Sequence, residues 1–216
     1  MFTFYNQRGI LMVKSLVLSI LIAIPLIGQT LTNRSEKITI KRKVFNLSSY
    51  ADFDFRTTNE RGFYYRHLDI GVNFPLAKTW STSVQYRNIY TKKNGEWKLE
   101  KRPKALIQKT INTADFKWAI RSLQEFRIRS GKEDALRNRI RVMAKSNNDW
   151  NGLKPFVGNE FFYDMESNDY NKNWFVVGFD LSKVDFSSPT IYYKHISDYI
   201  DGKWVFTYTM VFKITI

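Results

Sequence analysis

Residues 204–216 alternate strictly between large apolar side chains and smaller or more polar ones. The large apolar set is Trp204, Phe206, Tyr208, Met210, Phe212, Ile214 and Ile216. Successive side chains of a β-strand point to opposite faces, so this segment predicts a strand with one apolar face and one more polar face. A chain built from such strands forms sheets or a barrel.

The same period of two recurs upstream, most clearly at residues 80–87, 116–121 and 136–144. Ten strands are predicted, near residues 47–57, 62–74, 79–91, 101–111, 115–128, 135–146, 153–164, 171–182, 187–197 and 203–216. A tilted strand needs about 9–11 residues to cross a bilayer, which is close to these lengths. The predicted fold is all-β: a transmembrane, antiparallel, up-and-down β-barrel of about ten strands, with eight or twelve as alternatives.

The start of the chain resembles an export signal. Residues 12–28 (MVKSLVLSILIAIPLIG) contain one Lys, a short apolar run and a final small residue, which is the pattern of a secretory signal peptide. The run is shorter than an ordinary membrane-spanning helix, although a short anchor helix is the alternative. We therefore predict a signal peptide at 1–28, with Met12 as an alternative start, a polar basic tail at 29–46 and the barrel at 47–216.

Composition limits the classes of function. The chain has no cysteine, which excludes disulfides, a lipid-anchored cysteine and thiolate chemistry. Its formal net charge is +14, which in a soluble protein would suggest nucleic acid or an anionic surface as the partner. Export argues against nucleic acid. The predicted location is the outer membrane of a Gram-negative bacterium, with outer-membrane lipid and the barrel assembly machinery as partners.

Turns and tryptophans suggest two different rims. If both ends of the chain are periplasmic, the periplasmic turns are short, and the opposite rim carries longer polar loops at 91–100, 129–134 and 165–170. Three tryptophans are predicted beside the periplasmic turns (Trp80, Trp118 and Trp150) and three near the outer loops (Trp97, Trp174 and Trp204). Aromatic belts at both interfaces are typical of membrane barrels. A soluble periplasmic barrel or sandwich is the alternative.

Several stretches in the second half resemble one family. They are Arg102-Pro103, the segment EFR at 125–127, RNRIR at 137–141, LKPFVGNEFF at 153–162 and NKNWFVVGFDL at 171–181. Together they are similar to the domain-of-unknown-function 2490 family over roughly residues 60–216. The resemblance implies an outer-membrane barrel and implies no reaction.

Charged residues share one face of three consecutive predicted strands. They are Arg121, Glu125 and Arg127, then Arg137, Arg139 and Arg141, then Lys154 and Glu160. In a barrel these side chains point into the lumen, where buried charges have to pair. The first interpretation is a structural charge network that fills a narrow barrel. The alternative is a narrow pore for small anionic solutes, since rings of Arg or Lys attract anions.

No catalytic, cofactor-binding or metal-binding residue is assigned. The two histidines, His67 and His195, fall on predicted strands two and nine, and too few histidines are present for a histidine-built metal site. A lipid hydrolase would need a histidine beside a serine and an acid near the membrane rim, and it remains an alternative. The predicted function is a non-enzymatic outer-membrane barrel with a structural or binding role and no cofactor; the sequence does not identify its ligand.

Overall fold

The structure is a computed structural model that describes residues 33–45, 47–181 and 187–216. The predicted signal peptide lies outside the described residues. Within these three ranges no helix is long and apolar enough to cross a membrane. The regular elements are β1 (Asn33–Val44), β2 (Leu47–Thr58), β3 (Gly62–Pro75), β4 (Trp80–Lys93), β5 (Glu96–Asn112), β6 (Phe116–Arg129), β7 (Ala135–Ser146), β8 (Leu153–Asp164), β9 (Asp169–Leu181), β10 (Ser188–Ile200) and β11 (Lys203–Thr215). The all-β prediction is confirmed.

The eleven strands form one closed barrel in which each strand pairs with its neighbours in sequence. These pairs are antiparallel, whereas β1 and β11 close the barrel as a parallel pair. The parallel closure follows from the odd number of strands, because an up-and-down order closes antiparallel only when the number is even. The two ends of the barrel segment therefore lie at opposite rims.

Each rim is defined by the turns that it contains. The N-terminal rim contains Asn33 and the turns 59–61, 94–95, 130–134, 165–168 and 201–202. The C-terminal rim contains Ile216 and the turns 76–79, 113–115 and 147–152. The expected arrangement, with both barrel ends on one side, does not occur because β1 adds an eleventh strand.

The segment predicted as a polar tail at 29–46 contains this additional strand. β1 pairs along its length with β2 and also pairs with β11, so the barrel begins at Asn33 rather than at residue 47. The strand count of about ten is corrected to eleven. The signal was weak because the inward residues of β1 are polar, including Lys37 and Thr39. Its outward phase mixes the apolar Ile38, Ile40 and Val44 with charged residues.

The predicted difference in loop length between the two rims is wrong. The expected long loop at 91–100 is a two-residue turn, in which Asn94 and Gly95 adopt φ values of 51° and 86°. Two consecutive positive φ values are typical of a type I′ hairpin turn, for which Asn-Gly is the preferred sequence. The polar residues on both sides of that turn belong to β4 and β5. They do not interrupt the strands, because inward positions of this barrel accept polar side chains.

The two faces of the barrel differ in chemistry. Every strand presents at least one exposed large apolar side chain, for example Ile70 in β3, Val84 in β4 and Phe212 in β11. Buried positions are mostly polar or charged, and the fully buried side chains include Glu125 and Asp54. The core of this protein is therefore a polar interior enclosed by an apolar outer surface.

The tryptophans occupy the predicted rims with one exception. Trp80 and Trp118 are exposed beside turns of the C-terminal rim, and Trp97 and Trp204 are exposed beside turns of the N-terminal rim. Trp150 lies in the turn 147–152. Trp174, predicted near an outer loop, lies in the interior of the barrel, where its ring contacts Phe162 and three basic side chains.

Candidate binding cavity in the barrel interior

Glu160 is the centre of the first group of interior charges. Its carboxylate accepts hydrogen bonds from Arg121 at 2.5 Å and from Arg139 at 2.9 Å. β6, β7 and β8 are neighbours, and the register places Arg121 opposite Arg141 and Arg141 opposite Glu160. Alternate residues of adjacent strands share a face, so the inward phase of the three strands brings these charges into contact.

A second carboxylate continues the same group toward the N-terminal rim. Glu125 is fully buried and accepts a hydrogen bond from Arg139 at 2.7 Å. Arg102 lies 3.7 Å from Glu125 and 2.9 Å from Glu100, and Arg127 lies 2.5 Å from Glu100. We call Glu100, Arg102, Arg121, Glu125, Arg127, Arg139 and Glu160 the Glu-Arg network. It is a continuous chain of ion pairs across β5 to β8.

Three of the residues that the sequence predicted for this network lie outside it. The Arg137 guanidinium lies 5.7 Å from the ring centre of Phe162 and forms no ion pair with the described residues. Arg141 lines the cavity described below, and it forms no ion pair in the part of the chain that the structure describes. Lys154 neither lines that cavity nor forms an ion pair within the described ranges.

A second group of charges lies on β1 to β3 and was not predicted from the sequence. Asp54 is paired with Arg56 at 2.8 Å, and Asp52 is paired with Lys37 at 3.1 Å. His67 lies 3.3 Å from Asp52 through Nε2 and 2.9 Å from the Tyr65 hydroxyl through Nδ1. The alternation of Asp52, Asp54 and Arg56 along β2 could have revealed this group. Its lysine was missed because it lies in β1.

Asp69 joins the two halves of the interior. It accepts hydrogen bonds from Arg87 at 2.5 Å and from Lys104 at 2.6 Å. These residues belong to β3, β4 and β5, and their ion pairs lie between the β1–β3 group and the Glu-Arg network on β5 to β8. Ion pairs therefore run around much of the interior wall.

The interior encloses a cavity of about 510 Å³. Its lining includes eleven Lys and Arg side chains and five Asp and Glu side chains, an excess of six positive charges. The basic residues are Lys37, Lys41, Arg56, Arg87, Lys104, Arg121, Arg139, Arg141, Lys145, Lys194 and Lys213, and the acidic residues are Asp52, Asp54, Asp69, Glu160 and Asp180. A cavity of this volume is within the range of small-molecule sites.

The cavity extends toward the C-terminal rim. Its lining includes Ser81 near the start of β4, Lys145 near the end of β7 and Asp180 near the end of β9. Toward the N-terminal rim, Glu100, Arg102 and other members of the Glu-Arg network occupy the interior and are not part of the lining. The open space therefore lies on one side of this network.

The two histidines lie in different environments. His67 is buried in the interior, and its hydrogen bonds are to Tyr65 and Asp52. His195 packs against the rings of Phe206 and Tyr208 on β11. These contacts do not include a serine hydroxyl. In the part of the chain that the structure describes, no group of three or more His, Asp and Glu side chains is arranged to hold a metal ion.

The chain matches one protein family. The match covers residues 29–195, which includes β1 to β9 and most of β10. No curated protein and no solved structure shows a significant match. The family is described only as a protein of unknown function, so the match supplies no activity and no ligand. This chain belongs to the family of proteins of unknown function designated DUF2490.

Proposed function

We propose that the chain is an outer-membrane β-barrel of a Gram-negative bacterium that serves a binding or structural role rather than free passage of solutes. The observation that carries this proposal is the exposed apolar outer surface of a closed barrel. Monomeric soluble proteins rarely expose contiguous apolar patches larger than a few hundred Å². Here every strand around the barrel carries at least one exposed large apolar side chain, such as Ile, Leu, Val, Phe, Tyr or Trp.

Closure supports the same proposal. A bilayer offers no water to hydrogen-bond an open sheet edge, so spanning sheets have to be closed barrels. In this protein β1 pairs along its length with β2 and also pairs with Thr209–Thr215 of β11, which closes the barrel. The exposed tryptophans beside the turns, two at each rim, match the aromatic girdles of membrane barrels. The signal-like segment at 12–28 would supply export.

We place a closed barrel ahead of the narrow pore because side chains of the Glu-Arg network pack into the interior on the N-terminal side of the cavity. Glu125 is fully buried, as is Phe162, whose ring lies 4.5 Å from the Arg139 guanidinium. A permeating ion would have to displace these paired side chains. In planar bilayers the purified protein is expected to give no steady conductance above the lipid background. A stable, anion-selective conductance would favour the pore.

Fractionation combined with a heat-modifiability assay tests the proposal. The full-length chain, expressed in a Gram-negative host, is expected in the outer-membrane fraction, and its unboiled form is expected to migrate faster than its boiled form on a denaturing gel. A closed barrel resists detergent until it is heated, which keeps it compact. Recovery in the soluble periplasmic fraction would contradict the proposal and favour a soluble barrel.

A further inference from the structure

We propose that the interior cavity binds a small polyanion, a compound with two or more phosphoryl or carboxylate groups, at a wall that includes Arg141, Lys194 and Lys213. The site goes beyond the proposed function, because it depends on the cavity and not on membrane location. All three side chains line the cavity.

The charge balance of the lining favours an anionic ligand. Each of the five acidic side chains is already paired with at least one basic side chain. Four basic side chains remain without an ion pair among the described residues: Lys41, Arg141, Lys194 and Lys213. A charge removed from water is costly unless it is paired. Lys41 is exposed, whereas Lys194 is buried and Arg141 and Lys213 are half-buried. These last three unpaired cations therefore favour an anion inside the cavity.

The placement of the unpaired cations favours a ligand with more than one negative charge. Lys194 is only 5% exposed, and its ammonium lies 4.6 Å from the ring centre of Trp174 rather than beside a carboxylate. The charged groups that act most strongly on Lys213 are Lys37, Lys41, Arg141 and Asp52, and three of these four are positive. Repulsion among these cations would be relieved by a ligand that carries more than one negative charge.

Two buried hydrogen-bond donors in the cavity also favour an anionic ligand. The Trp174 indole N–H and the Arg121 Nε–H are buried and have no hydrogen-bond partner among the described residues. Both residues line the cavity. Buried polar groups in native proteins are nearly always satisfied, so unmet donors indicate a missing acceptor. Phosphoryl and carboxylate oxygens accept from such donors and from the planar guanidinium of Arg141.

The cavity also limits the size of the ligand. Its volume of about 510 Å³ suits a small molecule, and the closed barrel wall excludes a polymer from lying across it. Phosphorylated compounds and polycarboxylates share the required chemistry. Inorganic pyrophosphate and citrate are therefore suitable probes, and acetate is the matched monovalent control.

Titration of the purified full chain in detergent at low salt tests the site. Pyrophosphate or citrate is expected to bind saturably, as measured by calorimetry, and to change the fluorescence of Trp174, with acetate much weaker. Tighter binding of pyrophosphate would assign phosphoryl chemistry, and tighter binding of citrate would assign carboxylate chemistry. Arg141→Gln and Lys213→Gln should each weaken binding about tenfold, the effect of losing one charge-assisted contact.

Lys154→Gln is the control, because it removes the same charge from a lysine outside the lining. It should bind the probe like the unaltered chain. Arg141→Gln should also raise the unfolding temperature of the ligand-free protein, because it removes an unpaired cation, and pyrophosphate should raise that of the unaltered chain. No saturable binding of either probe, or equal weakening by Lys154→Gln and Arg141→Gln, would overturn the proposal. Heat-modifiable migration of each variant would show that the barrel itself is intact.

Discussion

At the scale of single residues, this protein places carboxylates where a soluble domain places aliphatic side chains. Glu125, Glu160, Asp54 and Asp69 are all buried, and each contacts at least one Arg or Lys. Such pairs add little net stability relative to an apolar core, but breaking one leaves an uncompensated buried charge. The interior is therefore sensitive to changes in its individual carboxylates.

Glu160→Gln tests this sensitivity. The substitution leaves Arg121 and Arg139 facing a neutral amide, so the free energy of unfolding is expected to fall by about 3–5 kcal/mol. Urea unfolding monitored by tryptophan fluorescence measures the change. Glu166→Gln is the matched control, since Glu166 is exposed and lies 3.7 Å from Arg129, and it should cost about 0–1 kcal/mol. Equal effects would mean that the network does not stabilise the barrel.

At the scale of elements, polar strands are the main reason that sequence and structure differ. β1 has only a weak apolar pattern, and the polar residues around Asn94 and Gly95 extend β4 and β5 instead of forming a loop. Pro103 lies inside β5. The pairing between β5 and β6 is interrupted at Arg102 and Pro103 and resumes at Lys104. A proline cannot donate to the ladder, so it is accommodated where the pairing is interrupted.

Ile38→Pro tests whether β1 is a strand or a tail. Ile38 faces Phe53 of β2 and Ile214 of β11, so the proline would remove a ladder hydrogen bond inside the closing strand. The compact, heat-modifiable form is expected to be lost or to melt at a markedly lower temperature. Ile38→Val should leave it unchanged. If the proline variant migrated like the unaltered chain, residues 33–44 would not be needed for closure.

At the scale of the whole molecule, the barrel has an apolar outside and a charged inside. A barrel in water would need its apolar side chains inside, where they would be removed from solvent. Here every strand carries exposed apolar side chains on its outward face, and inward residues hold ion pairs such as those of Asp54 and Glu160. The effect of an outer-surface substitution on stability therefore depends on whether that surface contacts lipid or water.

Val84→Arg distinguishes a lipid environment from water. Val84 is 64% exposed and lies in the outward phase of β4. In a bilayer an arginine near the midplane of a barrel costs about 2–4 kcal/mol. In water an exposed surface substitution changes stability by less than about 0.5 kcal/mol. When the variant is folded into lipid vesicles and then unfolded with urea, its free energy of unfolding is expected to fall by the larger amount, about 2–4 kcal/mol.

Leu76→Arg provides the control for that measurement. Leu76 is 57% exposed and lies in the turn 76–79 at the C-terminal rim, where an arginine can reach water. Its cost should be about 0–1 kcal/mol, the value found near an interface. Similar stabilities for the two arginine variants in vesicles would contradict a membrane-embedded surface.

The sequence by itself determined the all-β class, nearly all the strand positions from β2 to β11 and the inward phase of residues such as Arg139 and Glu160. Alternation with a period of two is local, and it can be read without knowing which strands are neighbours. Only the tertiary structure decided that β1 closes the barrel in parallel with β11 and that Asp52 and Lys37 form an ion pair. It also decided that, among the described residues, Arg141 and Lys213 line the cavity without an ion pair. These features depend on register and closure, which bring residues distant in sequence into contact.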